Sequence, residues 1–124
     1  MKLIESFVTY LMAEEKQKNT VYNYKLAIQE YASWFIDIFD KEPTALYSQN
    51  VKDYLQYLQF VKKRSAKTIN VKLASLQKYN EFLIVMGVQN ELVISKNMKK
   101  KIQQDYASPA QFSEKRYINF YKPL

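Results

Sequence analysis

Gly87 is the only glycine in the 124 residues of this chain, and it ends the stretch that most constrains the fold, Val61 to Gly87. That stretch reads V-K-K-R-S-A-K-T-I-N-V-K-L-A-S-L-Q-K-Y-N-E-F-L-I-V-M-G. Ile69, Leu73, Leu76, Leu83 and Ile84 fall on one side of a 3.6-residue wheel. Lys67, Thr68, Lys72, Ser75 and Lys78 fall together in the remaining sector. Ser65 is placed to act as N-cap, because its hydroxyl can accept from an otherwise unpaired N–H at the helix start. Gly87 is placed to take the left-handed conformation that stops the last turn. No acidic residue lies between Asp53 and Glu81, while Lys62, Lys63, Arg64, Lys67, Lys72 and Lys78 are all basic. The stretch therefore predicts an amphipathic helix with a positive outer face.

One glycine and three prolines leave few turn signals for a many-stranded β fold, so the chain reads as all-α. A hydrophobic fraction of 48% is enough for one packed domain. The chain has no cysteine, which excludes disulfides and thiolate metal sites, and no histidine, which removes the commonest catalytic base and metal ligand. No cofactor, metal or small-molecule substrate is expected. The N-terminus has acidic residues and lacks a long apolar run, so no signal peptide or membrane span is expected, which implies a cytoplasmic protein. The formal charge of +7 is unevenly spread: residues 1–60 carry −2 and residues 61–124 carry +9. Such asymmetry points to a polyanionic partner, with nucleic acid ahead of a membrane surface, and solubility as the plain alternative.

Taken in order, residues 3–15 predict a first helix, with Leu3 or Ile4, Phe7 or Val8, and Leu11 facing in. A polar connection follows, and Asn19 or Thr20 caps a second helix to about Phe39. Tyr24, Ile28, Tyr31, Phe35 and Ile38 form its inward stripe, with Trp34 at the edge; Tyr22, Lys25, Gln29 and Ser33 face outward. Residues 40–47, with Pro43, read as a loop. Ser48 caps a third helix over 49–61, with Val51, Leu55, Leu58 and Val61 inward and Tyr54 and Tyr57 flanking that face. The Val61–Gly87 stretch supplies the fourth helix. Beyond it the pattern weakens. Residues 91–94 read as a short apolar run, one turn or a strand end, 95–104 as a short basic helix with Lys96, Lys99, Lys100 and Lys101, and 107–110 as a loop. Residues 112–124 read as a linker or a docking segment. The expected division is a domain over 1–88 and a linker over 89–124.

Two stretches carry a resemblance. The first is Asn19-Thr20-Val21-Tyr22-Asn23-Tyr24-Lys25, leading to Ile28 and Trp34-Phe35. The second is Ser65-Ala-Lys-Thr68-Ile69-Asn70-Val-Lys72-Leu73-Ala-Ser-Leu76, leading to Phe82-Leu83 and Gly87. In order and spacing, residues 3 to about 88 resemble the core-binding, SAM-like N-terminal domain of tyrosine recombinases, the phage-integrase family. The resemblance implies a four-helix bundle that forms half of a C-shaped clamp on double-stranded DNA, with the starts of its second and fourth helices on the groove and backbone. It implies DNA contacts at Thr20, Tyr22 and Lys25 from the second helix, and at Lys67, Thr68, Asn70, Lys72 and Lys78 from the fourth. It also implies other recombinase protomers as partners in a synaptic complex, and a mobile element as the source.

Clustered lysines and small polar residues suit phosphates, and the amide of Asn70 suits the edge of adenine. Val71 departs from the family, where that position is often basic. The family's chemistry uses Arg, Lys and His side chains with a nucleophilic Tyr. This chain has no His and only Arg64 and Arg116, so none of its eleven Tyr is assigned as nucleophile. The expectation is a DNA-binding piece of a longer integrase or recombinase, not an enzyme in itself. The alternative is a helical protein–protein interaction module whose basic face serves solubility or an acidic partner.

Overall fold

The computed structural model describes residues 2–94 and Met98. Among the described residues the fold is four α-helices with no strand: α1 (Lys2–Ala13), α2 (Lys18–Phe39), α3 (Ser48–Gln56) and α4 (Ala66–Val85). This is the expected all-α, four-helix bundle. The basic stretch 95–104, the loop 107–110 and the segment 112–124 lie outside the described residues, apart from Met98.

α1 buries Ile4, Phe7 and Leu11, as the 3.6-residue spacing predicts. It stops at Ala13, earlier than expected, because Glu15 takes a left-handed φ of 61° and the Lys16 N–H reaches back to the Leu11 carbonyl.

α2 starts at Lys18 after Gln17, so the expected cap at Asn19 or Thr20 is replaced by a start with no side-chain cap. Only Lys16 and Gln17 separate it from the left-handed turn, and the Val21 N–H closes on the Gln17 carbonyl. Its buried face is Val21, Ala27, Ile28, Tyr31, Ala32, Trp34 and Phe35. Trp34 is thus a core residue, and Ile38 is exposed. Ile38 lies only about 20° from the buried Tyr31 on a helix of 3.6 residues per turn, so its exposure comes from its place in the last turn, which ends at Phe39, and not from its face.

α3 begins at Ser48 with Tyr47 in the capping position and no side-chain cap, correcting the expected Ser48 cap. Val51, Tyr54, Leu55 and Leu58 are buried, and Tyr54 belongs to the core rather than flanking it. The expected helix to 61 changes character at Tyr57–Val61, which is π-helical: the Lys62 N–H bonds the Tyr57 carbonyl, five residues back. The wider turn rotates Val61 out to solvent.

α4 follows the sequence closely. Ser65 caps it, accepting from the Thr68 N–H at 3.2 Å, and Gly87 ends it at φ 75°. Ile69, Leu73, Leu76 and Leu83 are in the core, but so are Tyr79 and Phe82. α4 packs on α1, on α2 and on the π-helical segment, so it is covered on more sides than a two-faced helix would be.

Two aromatic groups hold the helices together. Phe7 of α1 meets Tyr79 and Phe82 of α4 at ring separations of 5.0 and 5.3 Å. Tyr31 and Trp34 of α2 meet Tyr54 of α3 at 5.1 and 5.2 Å. Edge-on and tilted rings at these separations are the favoured geometries. The packing continues past residue 88. Gln89 exchanges two hydrogen bonds with the backbone of Leu46, at 3.0 and 2.9 Å. The fully buried Asn80 accepts from the Val93 N–H and donates to the Glu91 carbonyl, which seats Ile94 in the core. Residues 91–94, expected as a turn or a strand end, are an irregular segment held by these side chains.

Candidate nucleic-acid interface

Local structure first sets where the basic residues go. The π-helical segment ends in an exposed loop, Lys62-Lys63-Arg64, with Lys63 at a left-handed φ of 54°. Ser65 then starts α4, its hydroxyl donating to the Thr68 hydroxyl at 3.1 Å. Lys67 follows on the exposed side of the first turn, beside the exposed Val71. From Lys62 to Lys67, four cations line the approach to one helix start with no acid between them. The helix start itself favours negative charge through its unpaired N–H groups.

The sector read as the outer face of α4 is turned partly inward. Ser75 is buried and its hydroxyl bonds the Val71 carbonyl. Lys72 reaches across to α2, where its ammonium pairs with the Glu30 carboxylate. Lys78 points toward the end of α1. It pairs with Glu14 at 2.8 Å and Glu81 at 3.7 Å, and lies 5.6 Å from the centre of the Tyr10 ring. The hydrogen bond to Glu14 raises the Lys78 pKa, and the same bond lowers that of Glu14. Burial raises the Tyr10 phenol, helped by its hydrogen bond to Glu14.

Asn70 is 7% exposed, and its Oδ1 has no hydrogen-bond partner among the described residues. That oxygen does not reach the surface. On α2, Tyr22 and Lys25 are exposed and Thr20 is half-buried.

Two clefts bring some of these residues together. One, of about 450 Å³, lies between α2 and the α3–α4 connection and includes Lys62, Arg64, Trp34, Asp37 and Tyr57. The other, of about 400 Å³, lies between α2 and α4 and includes Thr20, Asn23, Val71 and Ser75. Leu26, Glu30 and Lys72 line both. Thr20 and Lys72 therefore share a cleft, whereas Lys25 lines a different one with Glu5, Gln29 and Glu42, and Lys78 belongs to the α1 side. Sequence reasoning left Lys62, Arg64 and Glu30 out of the site. The first two were visible as a basic run just before the Ser65 cap. Glu30 carried no signal, since its partner is 42 residues away.

Burial raises the Tyr54 phenol at the base of the first cleft; the nearby Glu30 adds to that shift and Arg64 opposes it. Among the described residues no cluster of acidic side chains could hold a metal ion, and no helix is long and apolar enough to cross a membrane.

This all-α bundle, with its basic loop leading into a capped central helix, is similar to known proteins. Residues 3–83 match the family described as phage integrase, N-terminal SAM-like domain, and the chain belongs to that family. A Bacillus thuringiensis protein named TnP I resolvase is 45% identical over 114 residues, which span 92% of this chain and 40% of that protein. The chain thus spans well under half the length of the curated relative it matches. No solved structure matches it.

Proposed function

We propose that this domain binds double-stranded DNA as the core-binding half of a tyrosine recombinase. It positions DNA that a separate catalytic domain of the parent protein cuts and rejoins through a covalent phosphotyrosine. The observation that carries this reading is the run Lys62, Lys63, Arg64 and Lys67, all exposed, leading without an intervening acid into the start of α4. Phosphate contacts need this kind of clustered positive charge. Lys67, Thr68 and Lys72 of α4, with Thr20, Tyr22 and Lys25 of α2, supply the contacts in this reading. Asn70 and Lys78 contribute only if the side chains now around them move. The resolvase name of the Bacillus thuringiensis relative favours resolution of joined DNA as the parent's reaction, with further recombinase protomers as its partners.

The test is fluorescence anisotropy of the 124-residue chain with a labelled duplex across a salt series. One half of a clamp lacks the gain in effective concentration that linked modules give, so the expected Kd is in the micromolar range or weaker. Affinity should fall steeply with salt, and Lys67→Ala should lower the slope by about one unit. Absence of binding at low salt, or an affinity indifferent to salt, would remove DNA as the partner and favour the protein-interaction module.

A further inference from the structure

We infer that Glu30 is an internal counter-anion, holding the position at Lys72 that a DNA phosphate takes when the domain binds. The inference rests on the DNA-binding reading and deepens it. Lys72 is the described basic residue that stands at the rim of both clefts between α2 and its neighbours, with Glu30 beside it. Its side chain is only 19% exposed, and its ammonium is engaged by the Glu30 carboxylate, which is 44% exposed. The cation is thus fixed by the fold, while its partner is free to swing into solvent.

An ion pair whose carboxylate is still reached by water adds modestly to folding. α2 and α4 are already joined through buried apolar residues, including Ile28, Leu73 and Leu76. The pair is therefore not needed to hold the helices together. Its consequence is electrostatic. Glu30 neutralises Lys72 in a cleft that Lys62 and Arg64 also line, and an approaching phosphate meets a carboxylate at the point where the cations converge. Binding there exchanges one anion for another: the phosphate oxygen takes the ammonium, and Glu30 is released to water. Because part of the attraction is already satisfied internally, Glu30 sets a ceiling on the affinity for any DNA, and only a backbone that fits the cleft displaces it.

The experiment measures duplex binding at one low salt concentration for the wild-type chain, Glu30→Gln, Lys72→Ala, the double variant and Asp37→Asn. Glutamine keeps the size of Glu30 and removes its charge. Thermal melts of each sample verify folding. Glu30→Gln is expected to tighten binding about tenfold, given the strength of a partly screened charge at contact distance. In the Lys72→Ala background the same change should give less than about a twofold gain. Asp37→Asn, which removes a charge from the same cleft, should fall well short of Glu30→Gln.

Equal gains from Glu30→Gln and Asp37→Asn, or equal gains with and without Lys72, would reduce the effect to general charge and overturn the inference. Weaker binding by Glu30→Gln would also overturn it, by making Glu30 a positioning residue for Lys72. If the wild type binds and Glu30→Gln matches it, the DNA reading survives and the counter-anion does not. If no sample binds DNA, both fall.

Discussion

Glu15, Asp40 and Lys63 hold φ values of 61°, 59° and 54°, a region that costs a side chain with a Cβ about 1–2 kcal/mol. They explain how a chain with one glycine turns after α1, after α2 and before α4. Asp40 is the least strained choice, since Asn and Asp visit this region more readily than most residues. A different residue-scale liability lies in the core. The hydroxyls of Tyr31 and Tyr79 are buried without a hydrogen-bond partner among the described residues. Such a group forfeits its hydration and gains nothing in return. Tyr79→Phe keeps the ring that meets Phe7 edge-on at 5.0 Å and removes the stranded oxygen. Thermal or urea unfolding should find the variant as stable as wild type or more so, by up to about 1 kcal/mol. A loss of more than about 1 kcal/mol would mean that the hydroxyl has a partner, such as a buried water.

At the scale of elements, α4 is the helix most legible in the sequence and also the one whose faces were misjudged. Its ends were readable because each depends on local chemistry: a serine hydroxyl that can reach Thr68 N–H, and a glycine that can take positive φ. Both ends can be tested. Ser65→Ala should cost about 1 kcal/mol through the lost cap. Gly87→Ala should cost on the order of 1 kcal/mol as well. A new Cβ at Gly87 would meet nothing within 4 Å, so that cost is backbone conformation alone. If calorimetry shows no change in Tm for either variant, the end concerned does not hold the helix. The faces were harder to read because α4 packs on several neighbours. Ser75 and Lys72 look solvent-facing on a wheel, yet α2 lies against them. The Lys72–Glu30 and Lys78–Glu14 pairs join residues far apart in sequence, and no local pattern marks them. The π-helical turn at Tyr57–Val61 was equally hidden, since its residues would also suit an α-helix.

For the molecule as a whole, the bundle of four helices was legible from periodicity and scarce turn residues, while its irregular closing segment was not. The aromatic core also gives the fold a definite response to alkali. Burial pushes the Tyr79 phenol up to about 12, and it raises Tyr31 and Tyr54 as well. The ordinary tyrosine value is near 10. Below about pH 10 both folded and unfolded chains keep these protons, and stability is indifferent to them. Above it the unfolded chain ionises first, so stability should fall as pH rises from about 10 to 12. Melts across this range should show Tm declining, with tyrosinate absorbance from the buried rings appearing only as the helices unfold. Ionisation of all the rings ahead of the loss of helical signal would mean that the core admits water. The hydrogen bonds between Gln89 and Leu46 carry a further consequence, in the timing of synthesis. A side-chain amide here does what a neighbouring strand would do for the peptide group of residue 46. Residue 89 leaves the ribosome 43 positions later, so the connection between α2 and α3 has to wait for the end of α4 before its backbone is satisfied. The first half of the bundle is an unfinished structure until the second half has been translated.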